Sequence, residues 1–464
     1  MKKQKKDIIT DNLYVRKLNA NQISFDIVDF YNFNRKKYPY LLESSAKGNK
    51  RERFSIIFCE PKVEIVKRHL KDNDFLKKLD QKWEDQKVLQ NHEILKEFEI
   101  DVPFTGGWFV YLGYELINEI EKTLRIPDSP YSLPTAFASR VKSAIIYDHL
   151  EKNIFFISEE SISKVESMHL DFENIQNILH TEDHKRKIEP INKGTDTEHQ
   201  RDVKTCIDYI FQGEIFQANL SRLWEFEIND NYSDSIIYKE LQKTNPSPFA
   251  GLLNFDETSI ISSSPERLVS LKNGTLETRP IAGTRPRGRN GVIDVELSRE
   301  LISSEKERAE HLMLVDLERN DISRVCKPGT VIVDEMMVIE SYSHVHHIVS
   351  NIKGSIKDNI KPGEILAAVF PGGTITGCPK IRCIEILGQL EKIGRGPYTG
   401  SFGYINHNGN LDFNILIRSM VMEHQKISLR AGGGIVADSI PEKETSETEA
   451  KANAMLKALQ NVRI

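Results

Sequence analysis

Two pairs of glutamates stand three residues apart in stretches that read as helical, Glu307 with Glu310 and Glu444 with Glu447. That spacing places both carboxylates of a pair on one helix face. The second pair follows Gly432, Gly433 and Gly434, which themselves follow a short apolar strand from Ile427 to Leu429. The glycines read as a turn stripped of side chains, whose N–H groups can approach an anion closely. The helix beyond opens with Ser439 three residues before Glu442, a capping-box spacing. An anion cradle beside paired carboxylates suggests a small acid held through a divalent metal; a tight turn before a solvated acidic helix is the plainer alternative. Glu307 has its own plain explanation as a capping residue for Ser304, whereas Glu310 has none.

Other residues could join that chemistry. Alternation along Ile215–Arg222 places Gln217, Asn219 and Ser221 on one strand face and Phe216, Ala218 and Leu220 on the other, which describes either a polar pocket wall or a half-exposed strand. Arg279–Gly288 packs three arginines, two prolines and two glycines into an irregular cationic loop that could grip carboxylates or simply sit in solvent. Phe370–Lys380 is a near miss to a phosphate-binding loop, with Cys378 and Pro379 in place of its Lys and Ser/Thr, and opens an apolar helix running to about Leu390. Arg418 ends an apolar strand, a costly place for a cation without an anionic partner. Strand alternation separates His344 and His346 from His347, and no further ligand stands at a metal spacing, which disfavours zinc.

The elements that must position these residues lie in a chain of 464 residues with a formal net charge of -5. Its interspersed charges give no electrostatic reason to expect a nucleic-acid or membrane partner. Met1–Asp7 is basic without an apolar core behind it, and no stretch approaches a membrane span, so a cytoplasmic protein is expected. Five scattered cysteines suit free thiols in a reducing compartment. Residues 13–157 carry repeated short strands such as Phe54–Cys59 and Trp108–Leu112, which favour antiparallel sheets. Residues 158–196 turn polar and read as a connector, and a helix from near Thr197 to Gly213 leads into the motif-bearing remainder.

Taken in order, Ser264–Arg267, Pro280–Thr284, Glu307–His311, Asp316–Asp321, Phe370–Gly377, Arg418 and Ala431–Lys451 closely resemble the chorismate-using enzymes. That family has anthranilate-, aminodeoxychorismate-, isochorismate- and salicylate-forming members. The likeness runs from about Thr197 to the end and continues more weakly through Leu41–Ser44. It implies an α+β fold in which two antiparallel sheets form a sandwich with helices outside. Residues 13–157 would be an N-terminal region interleaved with a chorismate-binding catalytic region at 197–460. It further implies Mg2+ held by Glu310, Glu444 and Glu447 with Glu307 beside it, an oxygen donor set suited to that ion. Glu266 matches the general acid, and burial would have to keep it protonated. His347 and Thr374 join it in the catalytic set, while Gln217, Gly283, Thr284, Tyr398, Arg418, Gly433 and Gly434 match substrate-contacting positions.

The nucleophile follows from the same resemblance. Water-adding relatives use a lysine on the strand equivalent to Phe216–Ser221; here Gln217 stands there and cannot act as a base. Ammonia is therefore expected, and since no cysteine lies on the glycine-flanked turn of a glutaminase, a separate glutamine amidotransferase subunit would supply it. Phe216–Ser221, Asn245–Gly251, Phe370–Thr376 and Asp412–Arg418 resemble the aminodeoxychorismate-forming members of folate biosynthesis more than the anthranilate-forming ones. Ala282 departs from that pattern, because many of the former carry a nucleophilic lysine there; Lys380 is the amine kept as a substitute. Leu41–Ser44 with Asn245–Ser247 also resembles a tryptophan pocket, but departs from it at Phe249–Gly251, which puts tryptophan feedback in doubt.

Overall fold

A computed structural model describes residues 5–10, 12–21, 23, 25–44, 53–69, 74–88, 95, 100–177, 188, 190–228, 232–342 and 345–462. Two large antiparallel sheets of 13 and 10 strands form its frame. The first runs in the order Lys5–Thr10, Leu13–Asn19, Asn153–Ser158, Ser143–Asp148, Phe54–Cys59, Tyr40–Glu43, Phe249–Phe255, Thr258–Ser264, Ser419–Glu423, Lys426–Ile435, Gln217–Glu227 and Pro190–Lys193, with Gly377–Cys378 also on Gln217–Glu227. The second runs Ile281–Pro286, Val345–Ser355, Thr275–Thr278, Arg267–Lys272, Leu411–Asn414, Ser401–Asn406, Gly107–Leu112, Ala136–Val141 and Lys62–Lys67, with Ile332–Ser341 on Val345–Ser355. Each sheet thus takes one side from the first part of the chain and the other from the last. This is the expected α+β sandwich.

Three apolar layers hold it. Between the sheets, Tyr40 stacks on Phe109 with ring centroids 4.2 Å apart, and Phe58, Phe104, Phe137 and Phe402 pack around them. Burying a ring of this size contributes about 2–3 kcal/mol. Outside the first sheet lie the helices Val28–Phe33, Ile162–Gln176, Asp234–Thr244 and Pro441–Asn461. Outside the second lie Phe75–Asp85, Glu305–Ser323 and Pro362–Val369.

Several local expectations change. The polar stretch 158–196 contains the helix Ile162–Gln176, because Val165, Met168, Phe172 and Ile175 recur on one face and are buried. Arg279–Gly288 is no irregular loop: Ile281–Pro286 is a strand paired with Val345–Ser355, with a register shift between Ala282 and Thr284. Its arginines already meet carboxylates, Arg279 with Glu335 and Glu340, Arg285 with Glu300 and Glu307, and Arg287 with Asp294. Phe216 is exposed rather than packed with Ala218 and Leu220, since the strand begins after it.

Candidate active site

The three glycines lie inside a strand, not in a turn. Gly432, Gly433 and Gly434 pair with Ser221, Leu220 and Asn219 in the long ladder between Lys426–Ile435 and Gln217–Glu227. Glycine in a strand interior marks a place where other groups come close to the backbone. A Cβ at Gly434 would lie 2.1 Å from Gln217 Nε2, and one at Gly432 would lie 2.7 Å from both Asn219 Oδ1 and Tyr398 Oη. At Gly433 it would lie 3.5 Å from Glu444 Oε2 and 3.7 Å from Glu447 Oε1. The missing side chains therefore open space that the amides, Tyr398 and the second carboxylate pair occupy. Ser439 does not cap the following helix: Ile440 stands at the N-cap, and the Ser439 hydroxyl donates to Glu444 at 2.7 Å.

Glu447 is paired with Lys451, one helical turn on, at 2.8 Å, and Lys451 also donates to the Gly432 carbonyl at 3.0 Å. Lys451 was not singled out above; its i, i+4 spacing from Glu447 was the available signal.

Glu266 sits between the ends of two strands, Thr258–Ser264 and Arg267–Lys272. Its carbonyl accepts the Ile415 N–H at 3.0 Å, which fixes the backbone. The side chain is buried, and its Oε1 has no hydrogen-bond partner. Burial pushes the carboxyl up to about 8, against the pull of Thr374, and the nearby Glu318 carboxyl pushes it further up. Thr374 Oγ1 is itself buried without a partner, so it lies close to Glu266 yet outside hydrogen-bond geometry. Lys451 and the Ile281 backbone favour the charged form.

The remaining predicted residues connect to this acid. Arg418, with φ 49°, donates to Asn245 Oδ1 at 3.0 Å; burial lowers its basicity while Glu266 raises it. Its contact is thus an amide, where an anion was expected. His347 is buried and pushed down to about 3, chiefly by burial and then by Arg418, so it is neutral. Its Nδ1 lies 3.0 Å from Thr284 Oγ1. Gly283, at the register shift, has φ 63°, and a Cβ there would lie 2.7 Å from Glu307 Oε2. Charge interactions link His347 with Arg418, Arg418 with Glu266, and Glu266 with Lys451, which pairs with Glu447.

Ser304 caps the Glu305–Ser323 helix by accepting the Glu307 N–H at 3.4 Å, as its spacing predicted, and Glu307 also meets Arg285 at 3.3 Å. Glu310 is half-buried one turn further along. Among the described residues no group of three or more His, Cys, Asp or Glu is gathered closely enough to hold a metal. Glu444 and Glu447 converge beside Gly433, and all four side chains offer only carboxylate oxygen, the chemistry of a hard divalent cation. Lys380 is committed elsewhere, to Asp321 at 2.5 Å. His344 lies outside the described residues; His346 contacts Asp294 and Ser341.

Beneath the amide strand, Glu391 and Arg395 complete its edge where the short Gly377–Cys378 strand stops and Pro190–Lys193 has yet to begin. Glu391 accepts from the Ser221 backbone and hydroxyl at 3.0 and 2.8 Å, and Arg395 donates to the Asn219 carbonyl at 2.7 Å. Arg395 also lies over the Tyr398 ring. Leu42, Glu43, Ser44 and Phe249 line a separate small cavity of about 110 Å³ between the sheets.

This sandwich and the carboxylates beside its glycine strand define a class. Residues 37–457 match the chorismate binding enzyme family, and the chain belongs to it. It is 37% identical over 457 residues to anthranilate synthase component 1 of Acetivibrio thermocellus, covering 93% of this chain and 92% of that one. It is 38% identical over 451 residues to aminodeoxychorismate synthase component 1 of Bacillus subtilis, covering 92% of each. The crystal structure of anthranilate synthase component I from Streptococcus pneumoniae superposes with a TM-score of 0.76 at 32% identity, over 87% of this chain and 92% of that one. No helix among the described residues is long and apolar enough to cross a membrane.

Proposed function

We propose that this protein aminates chorismate, converting chorismate and ammonia to 4-amino-4-deoxychorismate and water for p-aminobenzoate and folate synthesis. A glutamine amidotransferase subunit in the cytoplasm would supply the ammonia. The observation that carries the amination reading is the pairing of a buried, protonated Glu266 with Gln217, rather than a basic residue, against Gly434. Glu266 holds a proton at neutral pH and gives it to the departing C4 hydroxyl, which leaves as water. Neutral His347, Thr284, Arg418 and Tyr398 orient the substrate, and Gln217 and Asn219 offer amides but no general base for water.

Glu444, Glu447 and Glu310, with Glu307 adjacent, would hold Mg2+. When bound, the ion draws electron density from the ring through a substrate carboxylate and eases loss of the C4 hydroxyl. Lys451 would then have to release Glu447.

A second reading is favoured by Ala282, which is buried on its strand and offers no nucleophile to C2. Ammonia attacking C2 directly, with loss of the C4 hydroxyl, leads towards anthranilate. One experiment separates the readings: purified chain with chorismate, Mg2+ and ammonium, with and without an aminodeoxychorismate lyase. p-Aminobenzoate formed only with the lyase supports the proposal. Anthranilate formed without it overturns the 4-amino assignment, and no consumption of chorismate overturns both.

A further inference from the structure

We infer that Glu318, on the Glu305–Ser323 helix, is a positioning residue for the general acid: its carboxyl holds the turn that carries Thr374 and sets a second buried carboxyl against Glu266. The inference rests on the reading of Glu266 as that acid. Glu318 is 3% exposed. Its Oε1 accepts the Gly373 N–H at 3.1 Å, and Thr278 Oγ1 donates to its Oε2 at 2.9 Å. A Cβ at Gly373 would lie 2.5 Å from the Leu317 side chain and 3.1 Å from Glu318 Oε1, so the helix side chains pack directly on the turn at this glycine.

The Thr278 hydroxyl also lies within donating distance of the Leu268 carbonyl, 3.1 Å away and two residues beyond Glu266. A hydroxyl has one proton. With Glu318 ionised, Thr278 gives that proton to Glu318; with Glu318 protonated, Glu318 donates to Thr278 and Thr278 to Leu268. Thr278 thus offers a hydrogen bond to either charge state of Glu318, and the Leu268 carbonyl accepts from it only in the protonated one.

The surrounding charges decide which state is held. Glu318 faces Asp321 on its own helix and Lys380 from Lys380–Glu391; burial and Asp321 raise it to about 7 against the pull of Lys380. Glu266 faces Glu318, Lys451 from the C-terminal helix and Arg418, and is raised to about 8. Glu318, with Lys380 beside it, is the more readily ionised of the two carboxyls. A negative charge at Glu318 therefore opposes ionisation of Glu266 where a general acid is needed.

The test is the pH dependence of kcat for chorismate consumption with ammonium in the wild type, Glu318→Gln, Glu318→Asp and Glu266→Gln, with folding checked by thermal melting. Glutamine keeps an oxygen for Gly373 and an N–H for Thr278 but removes the charge. Its alkaline limb is expected about one pH unit below that of the wild type, with KM for chorismate unchanged. Aspartate keeps the charge on a shorter arm; its limb is expected to stay with the wild type while kcat falls at every pH. A Glu318→Gln limb that does not move overturns the inference, as does a Glu318→Asp limb displaced as far as that of a folded glutamine variant. Should the glutamine variant not fold, a Glu318→Asp limb displaced from that of the wild type by about one pH unit overturns the inference. Undiminished activity in Glu266→Gln would instead overturn the general-acid reading, a result separable from either.

Discussion

The space between the two sheets is filled in opposite ways on its two sides. Where strands from the first part of the chain predominate, Tyr40, Phe58, Phe109, Phe137 and Phe402 close it with stacked and edge-on rings. Where the last part predominates, Glu266 Oε1, Gln217 Oε1, Asn219 Oδ1 and Thr374 Oγ1 are buried without hydrogen-bond partners. Each such atom costs about 1–3 kcal/mol, comparable in size to what one aromatic ring contributes. Aromatic packing thus supplies stability that unsatisfied buried atoms forgo, and such atoms beside Glu266 mark where a ligand would satisfy them.

The comparison breaks most clearly by exchanging the property measured on each side. Glu266→Gln should lower kcat by about 10²–10⁴-fold while leaving the melting temperature at neutral pH at least as high as that of the wild type. Phe109→Ala should lower stability by about 3–5 kcal/mol while kcat per folded molecule changes less than about threefold, because its ring packs against Tyr40, Phe58, Phe137 and Phe402. Steady-state kinetics beside denaturant melts on both variants measure the division. Equal loss of kcat in both would mean that the two sides are not energetically separate.

A subtler effect is pH-dependent stability. The folded Glu266 carboxyl is raised from 4.5 to about 8. A raised carboxyl binds its proton more tightly folded than unfolded, so its contribution is fully present below about 4.5 and is lost as pH rises towards 8. Roughly 5 kcal/mol should disappear across that window in the metal-free protein, and Glu266→Gln should flatten the curve. A wild-type curve no steeper than the variant's would show that Glu266 ionises freely.

The unevenness also explains what was legible in the sequence. The short apolar runs Phe54–Cys59 and Trp108–Leu112 and the spacing of Glu307 with Glu310 and Glu444 with Glu447 are local signals, and the antiparallel strands and the helical carboxylates followed from them, whereas the sandwich followed from the family resemblance. The polar face of Gln217, Asn219 and Ser221 was legible for the same reason. Gly432–Gly434 misled because glycine's turn preference is local, whereas what places these residues in a strand is a ten-residue ladder with a segment some 200 residues earlier. Arg279–Gly288 misled likewise, its strand depending on Val345–Ser355. Glu318 stood inside a quoted motif without a role, since its burial depends on Gly373 and Thr278, which the chain brings together only on folding.

The smallest expected effect tests why the glycine strand has no side chains. In Gly434→Ala the new methyl would overlap Gln217 Nε2, the free end of a flexible side chain, so the amide can swing away and the fold should lose less than about 1 kcal/mol. The backbone raises no objection, because Gly434 lies in regular strand geometry opposite Asn219. The displaced amide should instead weaken substrate binding, raising KM for chorismate by roughly tenfold, about 1.4 kcal/mol. If displacement of Gln217 is the cause, the same substitution made in a Gln217→Ala background should raise KM by less than about twofold, since the two residues act through one contact. An undiminished tenfold effect in that background would mean that the methyl meets the substrate itself, and that Gly434, rather than Gln217, is the contact that matters.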